Sequence, residues 1–502
     1  MRKGEKVKIP GIERMWNPIT KDEVRLFHNS AFKILSEVGV HIDDKDCIAT
    51  FKDAPVVIDE KEMIVKFPEY WVKEMLNRIP SSYVLAGRIP KNDMSFTGPT
   101  KDHYAGLTSE ATKMFIWNEK TNKWDSTDPG IKDVIKAAKM VDAIDTYDSF
   151  YASPVGDIQS TKAGLPAELH TLYGKLVGST KNTGGCVITE GGVPEWGYAA
   201  KLAAEVQGGL DELAKRPILQ GLPSCIGPLQ STRQNFWAMV GPAKYHLPTV
   251  PYYGGTQPFT APATLAGAIA LALACNYYCM AVSQYLDPGT PSMPTAFSLA
   301  AHPQNGQLRF APFMHLSAAI QSQVWHENFN IPTCQYTNSL TCSLEEQAAQ
   351  MMSQYIIATI SGANWVMVDP SPQAFMWETI VMCADIINYC KQLLFQFTDA
   401  LPTEENLAMD VIKQIGPKKQ FTTHPHTLKH IDPALGLYFF NENWIMEHAD
   451  KWRDDGAKRW LYDTAREKLK ELEKHEPEPL PKDVVERMDK ILAEADEKLS
   501  LF

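Results

Sequence analysis

Aromatic residues stand at the ends of short apolar runs in this sequence. Tyr104 lies in KDHYAG, Phe150 and Tyr151 in DSFYAS, and Tyr252 and Tyr253 in VPYYGG; Phe297 lies in PTAFSL, Tyr336 in TCQYTN, and Phe375 and Trp377 in QAFMWE. The face of an aromatic ring is electron-rich, so several rings around one pocket can hold a cation. Taken singly, each ring has a plainer use in core or loop packing. His302 and Arg309, in LAAHPQNGQLRF, and Asn338 could donate hydrogen bonds to an anionic group. Arg309 reads equally well as a surface or intersubunit ion pair. A zinc centre is the alternative chemistry. It would need three ligands converging from strand ends, and Cys186, Cys225, Cys334, His302 and His424 are the residues near such ends.

The elements that must position these residues alternate along the chain. Strand-like runs fall at Ser149–Ser153, Gly185–Thr189, Pro217–Gly221, Thr249–Tyr253, Pro294–Ser298, Thr333–Thr337 and Trp365–Val368, with Phe421–Thr423 as an eighth. Helical periodicity falls between them, over Ile131–Ala143, Pro166–Leu176, Trp196–Gln207, Ser231–Tyr245, Ala261–Tyr285, Gln307–Glu327 and Leu344–Ser361. This alternation predicts a parallel sheet, and its length predicts an α/β chain folded as a TIM (β/α)8 barrel over residues 131–440. Barrel chemistry sits at strand C-termini and the loops after them, where most of the rings fall. An open doubly wound sheet would usually carry a glycine-rich phosphate turn, and no GxGxxG occurs.

Residues 1–130 predict an N-terminal α+β extension. Phe27, Phe32, Ile34, Leu35 and Val38 have helical spacing; Pro68 falls in the first turn of a second helix; KMFIWNEKTNKWDST reads as a hairpin turning at Glu119–Asn122. Residues 441–502 are charged and predict a helical tail with a stiff linker, HEPEPLPKD, packed on the barrel or on a neighbouring subunit.

Composition closes several routes. A net charge of -11 without basic runs argues against nucleic acid as a partner. The cysteines are scattered and form no CxxC, which fits reduced thiols in a core. MRKGEKVKIPGIERMW has no apolar centre and does not read as a signal peptide. The apolar stretch Ala261–Val282 carries Asn276 and many Ala and Gly, which fits a buried helix better than a membrane span. The expected compartment is the cytoplasm.

Several ordered segments resemble the trimethylamine methyltransferase family. They are FHNSAFKILSEVGVHIDD, IVKFPEYWVKEMLNRIPSSYVLAGR, RPILQGLPSCIGPLQ, HLPTVPYYGGTQPFTAPATLAGAIALALAC, FNIPTCQY followed by EEQAAQ and SGANWV, and FTTHPHTLKHI. The resemblance runs from about residue 20 to 490. It implies a TIM barrel that demethylates a methylated amine and passes the methyl group to the cobalamin of a cognate corrinoid protein. It also implies a homo-oligomer. Founding members carry pyrrolysine in a loop that here holds Tyr336, Thr337, Asn338 and Ser339. The sequence therefore resembles the non-pyrrolysine branch, which implies a quaternary amine such as glycine betaine, proline betaine or carnitine.

A quaternary ammonium leaves as a neutral amine, so the resemblance implies positioning and water exclusion, with no catalytic side chain and no tightly bound metal. The expected substrate-binding set is Tyr104, Tyr151, Phe297, His302, Arg309, Tyr336, Asn338, Phe375 and Trp377, with Tyr104, Tyr336 and Phe375 foremost. Tyr104 falls in the family's pre-barrel block, and Phe375 matches the loop after its seventh strand. Glu378 matches a family glutamate with either a site role or a bracing role. His424 and His426 match the closing motif. A non-catalytic betaine-binding barrel is the remaining alternative.

Overall fold

The computed structural model describes residues 15–99, 103–109, 111–151, 166–186, 192–309, 311–339, 341, 343–370, 374–396, 402–430 and 449–499. The first helix, Lys21–Lys33, begins at a capping box. Thr20 Oγ1 accepts from Glu23 N–H, and the Glu23 carboxylate accepts from Thr20 N–H at 2.8 Å. Its buried face packs with the Glu69–Leu76 helix against the long helix Leu265–Leu286. That 22-residue helix is long and apolar enough for a membrane, with a mean hydropathy of 1.7 over its most apolar 18 residues, yet 78% of that window is buried inside the protein. It is a core helix, as its Asn276 foretold.

Parallel pairing organises the middle of the chain. Tyr104–Leu107 pairs with Trp365–Asp369, which pairs with Cys334–Asn338, which pairs with Thr295–Ala296. Single bridges continue the order, from Thr295 to Tyr252, Ser292 to Thr249 and Thr249 to Gly221. Gln220–Gly221 pairs with Gly185–Cys186, Asn182 bridges to Ser149, and Ser149–Phe150 pairs with Tyr104–Leu107 again. Helices alternate with these segments: Ile131–Ala143, Ala167–Gly178, Gly192–Gln207, Arg233–Ala243, Leu265–Leu286, Phe313–Phe329, Leu344–Ile360 and Glu378–Lys391. The fold is thus mixed α/β, with regular ladders over some strands and isolated bridges between the others.

Two strand expectations need correction. Phe421–Thr423 is an exposed bend and turn ahead of the short helix Pro425–His430, and it pairs with nothing described. The place beside Trp365–Asp369 belongs instead to Tyr104–Leu107, inside the segment read as an N-terminal extension. YAGL is too short to show a period, and all four residues are buried. Gly106 is required there, because a Cβ would run into Ser149 Oγ and the Trp365 indole nitrogen. The expected hairpin forms as Met114–Asn118 against Lys123–Thr127. Phe375–Met376 adds to it in parallel. The tail packs on this same chain: Ala465–Leu472 on Glu378–Lys391 and Ile131–Ala143, Lys482–Leu499 on Gly192–Gln207.

The N-terminal ends of the parallel segments hold a buried ionic cluster. Lys181 Nζ donates to the carbonyls of Val141 at 2.9 Å and Ile144 at 2.5 Å. Burial pulls its pKa down to about 8, against the opposing charges of Asp148, Asp142 and Asp145. An unfolded lysine titrates near 10.4, so between these values the unfolded chain keeps a proton that the native chain has shed. Stability therefore rises with pH across that window, by up to about 3 kcal/mol. Lys181→Met should flatten the rise when urea unfolding is compared at the two ends of the window; an unchanged slope would assign it to other groups.

Candidate functional site

A strand turns successive side chains to opposite faces. Val366 and Val368 accordingly join Leu107 and the helices in one core. Trp365 and Met367 turn the other way, with Cys334, Tyr104, Tyr151, Leu222, Val250 and Met293. Leu85, Met94 and Phe96 from the Ser82–Leu85 and Met94–Thr97 hairpin close this inner cluster at the strands' N-terminal side. Tyr104 belongs to that closure. Its ring meets Phe96 edge-on at 5.1 Å, and its hydroxyl accepts from Ser95 N–H at 2.9 Å and donates to Ser95 C=O at 3.2 Å.

The C-terminal side carries a different set. Phe297 lies 5.4 Å from the Tyr336 ring, steeply tilted, and 6.4 Å from Tyr252. Gly254 permits this, since a Cβ there would stand 2.6 Å from the Phe297 ring. The Tyr336 hydroxyl donates to Asp369 Oδ2 at 3.2 Å. Asp369 is 2% exposed and faces Asn338 in register across the two strands. Gln354 clamps the Asn338 backbone, accepting from its N–H at 3.1 Å and donating to its carbonyl at 2.6 Å. Asn338 Oδ1 is buried and receives no donor among the described residues. A void of about 10 Å³, room for one water, lies between the Cys334–Asn338 strand and the Phe313–Phe329 helix, against Gln335, Thr337, Met314 and Ala318 as well as Phe297 and Tyr336.

Of the residues expected at the site, the structure brings together Phe297, Tyr336 and Asn338. Tyr151 lies in the inner cluster, edge-on to Trp365 at 5.4 Å. Tyr104 does not join them, because it is the first residue of its strand and those three lie toward the other end. Phe375 and Trp377 do not join them either. Phe375 pairs with the outer hairpin at Met114, which turns its ring into the outer core with Leu107 and Val368. Trp377 meets it edge-on at 5.2 Å and carries Lys136 Nζ 4.5 Å over its ring. His302 opens a surface hairpin and Arg309 stands exposed at that hairpin's far strand, Leu308–Arg309. Sequence reasoning missed Asp369. The predicted strand ended one residue short of it, and a carboxylate directly after an apolar strand was the available signal.

Among the described residues the zinc alternative finds no geometry. Cys225 lies against Cys275 and Cys279 in the core around the Leu265–Leu286 helix, and burial holds the Cys275 thiol well above its usual range. Cys334 belongs to the separate inner cluster, with its thiol likewise pushed up by burial. His424 Nε2 pairs with Gln414 at 3.1 Å. The Cys186 side chain is outside the described residues. Among the described residues no three His, Cys, Asp or Glu side chains converge as a metal site.

The model of the trimethylamine methyltransferase family matches residues 2–499. The chain belongs to this family. It is therefore a methyltransferase. A trimethylamine methyltransferase of Desulfitobacterium hafniense is 23% identical over 85% of both chains. A glycine betaine methyltransferase of the same species is 23% identical over 87% of this chain and 90% of its own. A trimethylamine methyltransferase of Methanosarcina acetivorans is 25% identical over 84% of each. In fold, the chain is similar to the monomethylamine methyltransferase of Methanosarcina barkeri, with a TM-score of 0.52 at 12% identity, covering 91% of this chain and 89% of that one.

Glu378, which matches a family glutamate, is a brace. It is 3% exposed and pairs with Arg466 at 2.7 Å. The Arg466 guanidinium also lies 4.6 Å over the Trp117 ring, so it ties the tail to the outer hairpin. Removing one partner of a buried pair strands the other charge. Glu378→Ala should cost about 3–5 kcal/mol of stability while the folded fraction keeps its affinity for a quaternary amine. Lost affinity at unchanged stability would place Glu378 in the site instead.

Proposed function

We propose that this methyltransferase takes a methyl group from a quaternary amine and hands it to the corrinoid of a partner protein. The observation that carries the reading is the ring cluster of Tyr252, Phe297 and Tyr336 at the C-terminal ends of parallel strands, with Asp369 beside it. Rings of this kind suit a permanently charged nitrogen that cannot itself donate a hydrogen bond. The relative named for glycine betaine, a quaternary amine, supports the same class.

We also read the cyclic order of strand pairings as a closed (β/α)8 barrel. Its first strand is then Tyr104–Leu107, so the barrel begins inside residues 1–130, and the tail helices Ala465–Leu472 and Lys482–Leu499 pack on its outside. The Ser82–Leu85 and Met94–Thr97 hairpin stops one end. Only the other end then gives a partner access, and there the ring cluster stands. The corrinoid, when its protein docks, supplies the nucleophile that receives the methyl group. This chain's residues do the rest. Tyr252, Phe297 and Tyr336 hold the nitrogen and exclude water, and Asn338, fixed by Gln354, shapes the wall. Ordinary residues at Tyr336 to Ser339, where founding members carry pyrrolysine, fit a substrate already activated by its charge. Reduced, buried cysteines fit a cytoplasmic location. Exposed Leu407, Ile412, Phe421 and Leu428 favour self-association.

Binding must also be restrained. Positive charge on nitrogen falls as the methyl group departs, so contacts that favour the cation equally throughout lower KM without raising kcat. A substrate panel read by loss of cob(I)alamin absorbance tests the class: turnover of a quaternary amine and little of trimethylamine is expected, and robust trimethylamine turnover would sink the substrate reading. Phe297→Ala and Tyr336→Ala should each weaken binding by about 0.5–2 kcal/mol. Tyr104→Phe, at the closed end, should leave affinity unchanged by titration calorimetry.

A further inference from the structure

The strands Thr295–Ala296 and Cys334–Asn338 part just where the rings stand. Their last pair is Ala296 with Gln335. Cys334 N–H donates to the Pro294 carbonyl at 3.1 Å. A parallel ladder advances by two residues on each strand, so continued pairing would carry Asn338 N–H to the Ser298 carbonyl. It goes instead to Gln354 Oε1 at 3.1 Å, while Gln354 Nε2 donates to the Asn338 carbonyl at 2.6 Å. One side-chain amide thus replaces the peptide group of the neighbouring strand. The other edge stays in its ladder, with Ser339 N–H donating to the Asp369 carbonyl at 3.1 Å. Two more glutamines on the same helix face continue the replacement. Gln350 accepts from Ser339 Oγ at 3.1 Å, and Gln347 Nε2 donates to the Thr341 carbonyl at 2.8 Å. Packing alone does not hold the parted ends, because the water-sized void lies against Phe297, Ser298, Gln335 and Thr337.

We propose that this glutamine stripe, with Gln354 at its head, positions the ring wall: it holds Asn338 off Ser298 and so fixes the Tyr336 ring at its distance from Phe297. The inference rests on the proposed function. Tyr336 and Phe297 belong to the two parted chains, and their rings lie 5.4 Å apart. Asn338 is buried. Without the Gln354 amide its N–H and carbonyl lose their partners, and a buried peptide group left unpaired is costly. Closing the ladder onto Ser298 is the remedy nearest in register. That closure draws the two chains together and moves one ring against the other. The hold on an ammonium depends on its distance from each ring centroid, so the cation site changes with the ladder. Gln354, Gln350 and Gln347 act through the backbone they bind and are positioning residues only.

The test is kcat and KM for glycine betaine and tetramethylammonium with free cob(I)alamin, beside calorimetric Kd, in the wild type, Gln354→Leu, Gln350→Ala and Gln284→Leu. Gln284 is the control. It is fully buried and makes the same two-way clamp, accepting from Gly289 N–H at 2.9 Å and donating to the Thr290 carbonyl at 2.6 Å, ahead of the strands' N-terminal end. Loss of a purely structural clamp lowers the active fraction, and apparent kcat with it, at unchanged KM. Gln284→Leu should behave this way. Gln354→Leu should raise KM and Kd about fivefold or more, because it disturbs the ring geometry itself. Unchanged KM and Kd in Gln354→Leu would overturn the inference and leave the methyl transfer standing. No turnover of either amine by the wild type would overturn both. If Gln354→Leu does not fold, Gln350→Ala decides: a KM raised about twofold or more supports the inference, and an unchanged KM overturns it.

Discussion

The ring wall depends on the in-register parallel pairing of Cys334–Asn338 with Trp365–Asp369. Side chains alternate along each strand, so one register puts Cys334, Tyr336 and Asn338 on the same face as Trp365, Met367 and Asp369. A slip of the Cys334–Asn338 strand by one residue would turn Gln335 and Thr337 into the ring cluster and Tyr336 and Asn338 into the helix layer. The register is held from outside. Gln335 Nε2 donates to Ser322 Oγ at 2.9 Å and Ser361 Oγ at 2.7 Å, tying the strand to the helices on either side of it. Thr337 Oγ1 donates to the Met367 carbonyl across the pair. The outward polar residues thus fix where the inward rings stand.

The two ends of these strands meet opposite demands. At the N-terminal end several buried polar groups are committed within the fold. Tyr104 spends both hydrogen-bonding capacities on Ser95, and Asp148 Oδ2 accepts from Ala105 N–H at 2.8 Å. Asp142 gathers Thr180, Ser179 and His475. Charges there are compensated within the fold, as stability requires of buried ions. At the other end Asn338 Oδ1 is buried and receives no donor among the described residues. An acceptor of this kind is a cost to folding that a ligand can offset.

The sequence made most of the architecture legible because its helices are long and its strands are apolar and bounded by turns. The positions of the Leu265–Leu286 and Leu344–Ile360 helices and the hairpin at Met114 to Thr127 all follow from periodicity and turn residues. The first parallel strand was hidden. Four residues with an alanine and a glycine carry no period, and only the partners Ser149 and Trp365 explain why Gly106 must lack a side chain. Phe421–Thr423 was expected as an eighth strand for the converse reason, since it has strand-like residues but pairs with none of the described residues.

The candidate site divided along the same line. Phe297 and Tyr336 lie at the C-terminal ends of strands whose extents were readable, so their placement could be reasoned out. Tyr104 and Phe375 were assigned by likeness to family segments, and likeness in sequence order does not say which end of a strand a residue occupies or which face it takes. Both questions are settled by pairing: Tyr104 sits opposite Trp365 at the start of its strand, and Phe375 opposite Met114 on the outer hairpin. An aromatic residue can serve core or cation equally well by type. What distinguishes the two uses is whether its neighbours complete its packing. For Tyr104 and Phe375 apolar neighbours complete it, whereas Tyr336 stays half-buried with a carboxylate on its hydroxyl.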